Sequence, residues 1–573
     1  MKTPLSTRTW IWLAVGAFVL VRLGLALLVP SPYIMPDELI YLELARNLAQ
    51  GHGFSFRGEP MSFPTVLFPL LLAPSQWATD PDVAFRLAQL TSGLLMLAAA
   101  VPIYRLARLM LPAGAAAAVS ALAMVPPYTL YGHTVMTEGL FFLLFTATAY
   151  ATVLAIAAPS RRSMIGLGAV LGLAFFAKPQ GMLLTAVVVA TFLATEAFRR
   201  HEAPGFARRL VAFWPAVATF GAIAALHVWR VAWENPGANL LAVSTYLGTY
   251  SGGLAGLIPF TWGHFWGAVA AIFGALALSA GFWPLALFLP FAWRALRGGP
   301  ITERALVAFA AFATVLLVGL AARNVALSYP PQVVERYCFH LSPLFLVGAW
   351  LVAYRQRVPW RFGLAASAGL IGLSAWFMER ATLTYVDTPA YMALYRPSLS
   401  LGWPATTGVV VALALGFVAV MAWLGWRGRP RMAWALAVLY GVTLTASSLY
   451  GQVTLSRRYD YERPFVAWVH AHTGPDQPIA LVSDGLPYIP AVLTNVFSRQ
   501  PIRQVYLERP MAAWLERRLT RLGDGELVEL SRLPDGTRVV AHQDLALDLP
   551  VLARREGVVI YEKRGAVRLR PAG

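Results

Sequence analysis

Residues 10–38 read WIWLAVGAFVLVRLGLALLVPSPYIMPDE, and this stretch sets the architecture that the rest of the chain follows. Its apolar run of roughly 20 residues is long enough to cross a hydrocarbon core of about 30 Å as one helix. The run is too long for the core of a signal peptide, and no small-residue cleavage site follows it, so we expect a retained membrane span. The pair Asp37-Glu38 stands directly behind it, where the chain leaves the membrane.

The composition extends this pattern to the whole chain. Of its 573 residues, 58% are hydrophobic and 13% are charged, and the mean hydropathy is +0.59. Soluble domains carry about 25% charged residues, so this composition indicates an α-helical polytopic membrane protein. Apolar runs of sufficient length predict about thirteen transmembrane helices, near residues 10–29, 83–103, 113–130, 138–158, 163–177, 180–196, 210–229, 263–291, 305–322, 338–353, 362–378, 404–424 and 433–452.

The formal net charge of +18 reflects membrane topology. With the N-terminus in the cytoplasm, every connection on the cytoplasmic side is basic, as the positive-inside rule requires. We therefore expect contact with anionic lipid headgroups and no nucleic-acid binding, since no basic-aromatic soluble module is present. The single cysteine, Cys338, excludes an internal disulfide and a cysteine-based metal site.

An odd number of spans places the C-terminus on the outer face, together with the long loop 31–82. We predict a transmembrane domain over residues 1–456 and a soluble extracytoplasmic α/β domain over 457–573. Within the latter, the apolar patterns predict helices over 464–472 and 512–522 and strands over 478–483, 537–542 and 557–562.

The segment DELIYLELARNLAQG, residues 37–51, predicts a short amphipathic helix in the first outer loop. Ile40, Leu44 and Leu48 share one face, and Gly51 is a usual stop signal. Asp37 and Glu38 then occupy the first helical turn, where unpaired backbone amides favour a negative charge. Plain helix capping explains the pair as well as a catalytic role does.

Further fragments repeat the pattern of one enzyme family. They are SFPTVLFPLLLAP at 62–74, HTVMTEGLFFLLF at 133–145, GLAFFAKPQGMLL at 172–184 and ERYCFHLSPLFLVGAW at 335–350. With Asp-Glu in the first outer loop, their order resembles the bacterial GT-C glycosyltransferases, which are relatives of the protein O-mannosyltransferases and of the aminoarabinose transferases that modify lipid A. The resemblance covers roughly residues 10–350, and beyond them only the general layout matches.

The resemblance implies an inverting glycosyltransferase. It would move a sugar from a polyprenyl-phosphate donor to an acceptor hydroxyl of a cell-wall glycan, a glycolipid or a protein, on the outer face of a bacterial cytoplasmic membrane. A donor that arrives within the bilayer requires a polar cavity at headgroup level, walled by helices.

Three carboxylates match the acidic positions of the family. The resemblance makes Asp37 the general base that accepts the acceptor's proton, and Glu38 its supporting carboxylate. Glu138 matches a second acidic position, which orients the acceptor or binds a metal in relatives. A favourable helix start after Thr137 is the alternative for Glu138, although a carboxylate at membrane depth is costly without a partner.

The leaving phosphate requires cations. Arg336, supported by Tyr337, is the leading candidate because a guanidinium can hold two phosphate oxygens and stays ionised. The alternative is that Glu335 neutralises Arg336 in a structural pair. Lys178 could supply a second positive charge or extend to lipid headgroups, and Arg22 could do the same from inside the first span.

Four further residues are candidates for substrate contact. His133 and Arg86 fall at outer helix ends, where boundary anchors are common. Tyr246 and Tyr250 lie in an aromatic-rich outer connection and could stack on sugar rings. An aromatic belt at the membrane interface explains them equally well.

Two features depart from the family pattern. Residues 62–74 contain no Lys or Arg, whereas the aminoarabinose transferases carry a lysine in the corresponding segment. There is also no Asp-x-Asp pair, so no cofactor is certain and a divalent metal stays open, with Asp37 and Glu138 as its ligands if the fold brings them together.

Two functions of other classes remain as alternatives. A transporter or flippase of lipid-linked saccharides would show paired repeats and polar residues at the bilayer midplane, which are not visible here. A receptor or scaffold would leave the loop carboxylates without a role. The sugar, the acceptor, the carrier length and the oligomeric state do not follow from the sequence.

Overall fold

The computed structural model of the protein describes residues 7–32, 37–56, 59–60, 65–199, 205–234, 261–326, 335–355, 360–380, 389–460, 463–473, 479–482, 502–507, 517–518, 520, 522, 526–555 and 557–569. The chain divides into two compact units. The first consists of Met1–Ala26, Pro64–Leu67 and Ser92–Val453, and the second of Leu27–Phe63, Phe68–Thr91 and Thr454–Gly573. The predicted domain division after residue 456 stays a prediction.

The described residues are mostly helical, as the composition predicts. In chain order the helices are α1 Thr7–Ala26, α2 Asp37–Ala49, α3 Leu67–Leu72, α4 Pro81–Ala98, α5 Ala100–Arg108, α6 Ala113–Ala123, α7 Glu138–Ala157, α8 Arg161–Ala177, α9 Gly181–Phe198, α10 Phe206–Val211, α11 Trp214–Glu234, α12 Trp262–Ala280, α13 Trp283–Gly298, α14 Ile301–Ala326, α15 Ser342–Arg355, α16 Trp360–Arg380, α17 Pro389–Leu401, α18 Trp403–Trp426, α19 Pro430–Asp460, α20 Arg463–Thr473 and α21 Val528–Ser531.

The fold class is confirmed, but the count of about thirteen spans is not. Within the described residues, 8 helices are long and apolar enough to cross a membrane, or 9 if the bent pair Ala113–Ala123 and Pro127–His133 is one span. The pair bends by 68°, because Pro126 and Pro127 interrupt the helix that was expected over 113–130. The expected spans over 163–177 and 338–353 form the shorter helices α8, with 17 residues, and α15, with 14 residues.

The predicted single span over 263–291 is wrong. Two helices, α12 and α13, replace it, and they are separated at Gly281 and Phe282. Gly281 adopts a left-handed conformation with φ of 90°, Phe282 has φ of 52°, and Pro284 lies in the first turn of α13. The apolar character continues through this break, so hydropathy alone could not show it.

Helices α7 and α8 form an antiparallel hairpin within the first unit, and they pack against each other along their length. The connection 158–160 is short, and the Ser160 hydroxyl accepts a hydrogen bond from the Ser163 amide, which caps α8. Because α7 has 20 residues and α8 has 17, the start of α7 and the end of α8 meet at one end of the hairpin.

In the second unit, α2 forms where the amphipathic pattern predicts it. Leu44 and Ala45 are fully buried, and the Tyr41 ring meets the Phe68 ring edge-on with centroids 5.3 Å apart. Gly51 follows the helix with φ of 78°, which glycine adopts without steric cost. The antiparallel strands β1 Ser55–Phe56 and β2 Glu59–Pro60 come next.

The C-terminal part of the second unit is built on a six-stranded mixed sheet in the order β5-β4-β3-β6-β8-β7. Strands β3, β4, β5 and β6 run parallel, whereas β8 is antiparallel to both β6 and β7. The strands are β3 Ile479–Val482, β4 Ile502–Leu507, β5 Arg517–Arg518, β6 Arg538–His542, β7 Val551–Arg555 and β8 Val558–Glu562.

Strands β3, β6 and β8 of this sheet are buried on both faces, which explains their continuous apolar sequences. Ala480 and Val482 face one core cluster, whereas Ile479 and Leu481 face the other, which includes Val469 of α20. The predicted helix over 512–522 is wrong where it is described, because Arg517–Arg518 pairs with β4 as a strand. Residues 512–516 lie outside the described residues.

Replacing Gly281 by alanine tests the break between α12 and α13. An alanine there would have to adopt the left-handed backbone conformation, which costs an L-residue about 1–2 kcal/mol. Its Cβ would also lie 3.3 Å from the Tyr440 ring. We expect Gly281→Ala to lower the melting temperature of the purified protein in detergent.

The matched control is Gly319→Ala, because Gly319 lies within α14 and a Cβ there meets nothing within 4 Å. Alanine favours a helix over glycine, so this variant should melt at or above the wild-type temperature. Equal melting of the two variants would contradict the strained-break interpretation.

Candidate functional site

A deeply buried ion pair of the first unit joins Glu138 and Lys178. The Lys178 Nζ lies 2.7 Å from the Glu138 Oε1, and the side chains are 8% and 1% exposed. Glu138 is the first residue of α7 and Lys178 directly follows α8, so the hairpin brings them together. Lys178 therefore binds a carboxylate inside the protein rather than lipid headgroups, and Glu138 does more than start a helix.

The turn after Lys178 is fixed by close backbone contact. Gly181 begins α9, and any Cβ at that position would collide with the Ala174 carbonyl of α8. The Gly181 amide donates a hydrogen bond to the Lys178 carbonyl. The lysine is thus held at the end of the hairpin by the tight return of the chain.

Arg336 and Tyr337 join this pair from another part of the chain. The Tyr337 ring centroid lies 5.4 Å from the Lys178 Nζ and 5.4 Å from the Arg336 Cζ, so one ring contacts both cations. The Phe141 ring lies 5.9 Å from the Lys178 Nζ, and Arg336 is within electrostatic range of Glu138. We call Glu138, Lys178, Arg336 and Tyr337 the cation–aromatic cluster.

Glu335 does not neutralise Arg336. Its side chain is fully buried, and neither carboxylate oxygen has a hydrogen-bond partner among the described residues. The Ser279 hydroxyl and the Ala390 amide approach it, but burial dominates and raises the pKa of Glu335 to about 8. At neutral pH the carboxyl is therefore mostly protonated and adds little negative charge beside Arg336.

Sequence reasoning missed two side chains beside Lys178. His340 is completely buried, meets the Phe141 ring edge-on at 4.8 Å and lies within electrostatic range of Lys178. Gln180 is buried two residues after the lysine, and its Oε1 has no hydrogen-bond partner among the described residues. His340 lies in the fragment 335–350 and Gln180 in the fragment 172–184. Their position in these family-like fragments was the sequence signal that could have identified them.

Arg22 and His133 lie in a second polar cluster of the first unit. The Arg22 Nη2 donates a hydrogen bond of 2.6 Å to the Thr129 hydroxyl. The His133 Nδ1 lies 3.1 Å from the Gln452 Oε1, and the Gln452 amide donates to the Leu130 carbonyl. These contacts fasten the turn 127–133, so both residues have structural partners, and their predicted substrate contacts stay predictions.

Asp37, Glu38 and Arg86 belong to the second unit. Asp37 is half-buried and Glu38 is buried in the first turn of α2. The Arg86 Nη1 donates to the Val29 carbonyl at 2.6 Å and to the Gln89 Oε1 at 3.0 Å, which ties α4 to the segment after α1. The catalytic roles of the two carboxylates stay predictions.

The remaining candidates concern a metal and the sugar-stacking tyrosines. The Glu138 carboxylate already accepts the Lys178 ammonium, which opposes a divalent cation at the same oxygen, and the described residues contain no group of three potential ligands. The donor set around Glu138 therefore does not fit a metal site. Tyr246 and Tyr250 lie outside the described residues.

The chain is similar to known proteins both in part of its sequence and in its fold. A family model described as dolichyl-phosphate-mannose-protein mannosyltransferase matches residues 80–229, which include Glu138 and Lys178. The structure is similar to ArnT from Cupriavidus metallidurans in the apo state, with 16% identity, 97% of this chain and 98% of that chain covered, and a TM-score of 0.64. For the same protein bound to undecaprenyl phosphate the identity and coverage are 16%, 97% and 98%, and the TM-score is 0.65. At this identity the likeness establishes a shared fold, and no curated protein sequence matches the chain.

A double-mutant cycle tests the buried ion pair. Glu138→Gln and Lys178→Met each leave one buried charge without its partner, which costs about 3–5 kcal/mol, so each should lower the melting temperature. The double variant removes both charges and should melt above either single variant. Thermal unfolding in detergent gives the melting temperatures of the wild type, the two single variants and the double variant.

The control is Arg564→Gln, which breaks the exposed ion pair with Glu562 and should change the melting temperature little. Additive losses in the Glu138 and Lys178 double variant would show that the two charges do not stabilise each other.

Glu335 predicts a pH-dependent stability. The folded carboxyl keeps its proton up to about pH 8, whereas the unfolded carboxyl ionises near its ordinary pKa of 4.5. Between these values the folded state binds more protons, so stability falls as pH rises. Glu335→Gln removes this loss and should raise the melting temperature more at pH 8 than at pH 5.

Glu562→Gln is the control for this experiment. Hydrogen bonds from Arg538 and Arg564 lower the pKa of Glu562, so its contribution is present above the ordinary value and is lost only in more acidic solution. Its effect should be the same at pH 5 and pH 8. A Glu335→Gln effect that is equally independent of pH would refute the neutral buried carboxyl.

Proposed function

We propose that this chain is a membrane glycosyltransferase of the GT-C type, which transfers a sugar from a polyprenyl-phosphate donor to an acceptor hydroxyl, with inversion at the anomeric carbon. The cation–aromatic cluster is the observation that carries the proposal. It occurs in a chain that shares its fold, over nearly the whole length, with an ArnT whose structure contains undecaprenyl phosphate.

The charge of the cluster suits a lipid phosphate. Lys178 and Arg336 are cations and Glu138 is an anion, while Glu335 is mostly neutral because burial raises its pKa to about 8. The cluster therefore keeps a net positive charge in a partly buried position. A phosphodiester-linked sugar donor carries one negative charge, and charge-assisted hydrogen bonds to lysine and arginine are strong where water is excluded.

Tyr337 gives the cluster its shape. Its ring contacts both cations, so the ammonium and the guanidinium are held around one rigid aromatic face. Glu138 acts as a positioning residue that holds Lys178 at the end of the hairpin. Such fixed cations stabilise charge that develops on a leaving group without reorganising during the reaction.

The proposed reaction is a single displacement. The acceptor oxygen attacks the anomeric carbon and forms the new glycosidic bond, while the bond from that carbon to the phosphate oxygen breaks. Asp37 accepts the hydroxyl proton, supported by Glu38, and polyprenyl phosphate leaves with its added charge stabilised by Arg336 and Lys178.

The proposal also fixes an orientation. The membrane domain, residues 1–456, would carry catalysis at the outer face of a bacterial cytoplasmic membrane, and residues 457–573 would form an extracytoplasmic domain. The basic connections support this orientation, because with a cytoplasmic N-terminus they all lie on the side that the positive-inside rule favours.

Two variants separate chemistry from donor binding. In a strain that lacks the gene, the glycosylated polyprenyl phosphate should accumulate, and mass spectrometry of the lipid extract measures it. Asp37→Asn should fail to reverse the accumulation yet bind undecaprenyl phosphate like the wild type, because it loses the base and keeps the cluster. Arg336→Gln should bind undecaprenyl phosphate about ten-fold more weakly.

Asp82→Asn and Arg323→Gln are the charge-matched controls, since both residues are exposed at helix ends, and both should behave like the wild type. Full reversal by Asp37→Asn would remove this carboxylate from the mechanism. Donor that changes sides in reconstituted vesicles without forming a new glycosidic bond would instead indicate a flippase.

A further inference from the structure

A basic cavity lies at the end of α7 opposite Glu138. Its volume is about 120 Å³, and Ile156, Phe192 and Phe213 form much of its apolar wall. Because α7 has 20 residues and a helix rises about 1.5 Å per residue, the cavity and the cation–aromatic cluster are about 30 Å apart along this helix. The cavity is therefore a separate site.

Some, but not all, of the charged side chains that line this cavity make contacts that stabilise the fold. The Arg209 Nε lies 2.6 Å from the Glu196 Oε2 in a buried ion pair, and the Arg199 Nη1 donates to the Ile156 carbonyl at 3.2 Å. Arg208 also lines the cavity and is exposed. Its side chain makes no hydrogen bond or ion pair within the described part of the chain.

A second cavity of about 350 Å³ adjoins the first and shares Pro159 and Ala212 with it. Arg161, in the first turn of α8, lines this second cavity and is exposed. No described residue forms an ion pair or a side-chain hydrogen bond with Arg161 either. Arg208 and Arg161 thus line two adjoining cavities, and neither guanidinium group has an ion-pair or hydrogen-bond partner among the described residues.

The surface around the two cavities is apolar. Phe206, Val211, Trp214 and Val217 are large exposed side chains on α10 and α11. A membrane-spanning unit exposes such side chains to lipid tails. A molecule bound in the cavities would therefore have cations at one end and an apolar surface along the other.

We propose that these adjoining cavities bind the headgroup of an anionic glycerophospholipid, with Arg208 and Arg161 holding its phosphate and the acyl chains lying along Val211, Trp214 and Val217. Guanidinium groups bind phosphate oxygens in pairs, and basic pockets between transmembrane helices suit anionic headgroups. The apolar surface next to the cavities favours a lipid over a soluble phosphate. Under the predicted topology this site faces the cytoplasmic leaflet.

Native mass spectrometry of the delipidated full-length protein tests the proposal. Phosphatidylglycerol should bind, and Arg208→Gln and Arg161→Gln should each weaken it about ten-fold through the loss of a charge-assisted contact. Phosphatidylcholine should bind weakly and equally to all variants. Arg208 and Arg161 are exposed, so unchanged melting temperatures without lipid will exclude a folding defect.

Arg162→Gln is the matched control, because Arg162 neighbours Arg161 on α8, carries the same charge and lines neither cavity. It should retain wild-type binding of phosphatidylglycerol. Equal weakening by Arg162→Gln and Arg208→Gln would show a diffuse surface charge and overturn the site. Competition by inorganic phosphate at the same concentration as phosphatidylglycerol would overturn the lipid and leave a soluble-anion site.

Discussion

The requirement to neutralise a carboxylate inside the helical unit underlies the rest of the site. Glu138 begins α7 in a buried position, where an isolated negative charge would be strongly unfavourable. The hairpin of α7 and α8 meets this requirement, because it brings the Lys178 Nζ to 2.7 Å from the Glu138 Oε1. The Tyr337 ring contacts both this ammonium and the Arg336 guanidinium, so the buried ion pair belongs to a cluster that contains two cations.

The net charge of the cation–aromatic cluster depends on burial as much as on composition. Counted from the sequence, Glu335 and Arg336 cancel, and the fragment ERY is neutral. In the structure the glutamate is fully enclosed and burial raises its pKa to about 8, so at neutral pH it contributes little negative charge beside the arginine. Residue counting along the chain therefore understates the positive charge of this cluster.

Hydropathy and periodicity predicted most helices, but they could not predict where an apolar run breaks. The division at Gly281 and Phe282 depends on backbone conformation inside a continuous apolar stretch. Strands β4 and β7 were missed because they lie among polar residues, and their pairing depends on neighbours distant in sequence. In the site, the sequence identified Glu138 and Lys178 separately, yet their pairing follows from two helices of similar length joined by a short turn.

Residues with distant partners were the least predictable. Arg22 appeared from the sequence to serve a phosphate or the headgroups, but its guanidinium donates to Thr129, over a hundred positions away in the chain. Burial turns such a cation into a structural element, because its hydrogen-bonding demand must be met inside the protein. The same rule distinguishes the arginines at the far end of α7. The buried Arg209 forms an ion pair with Glu196. Arg208 is exposed, and in our proposal its partner is the phosphate of an anionic lipid.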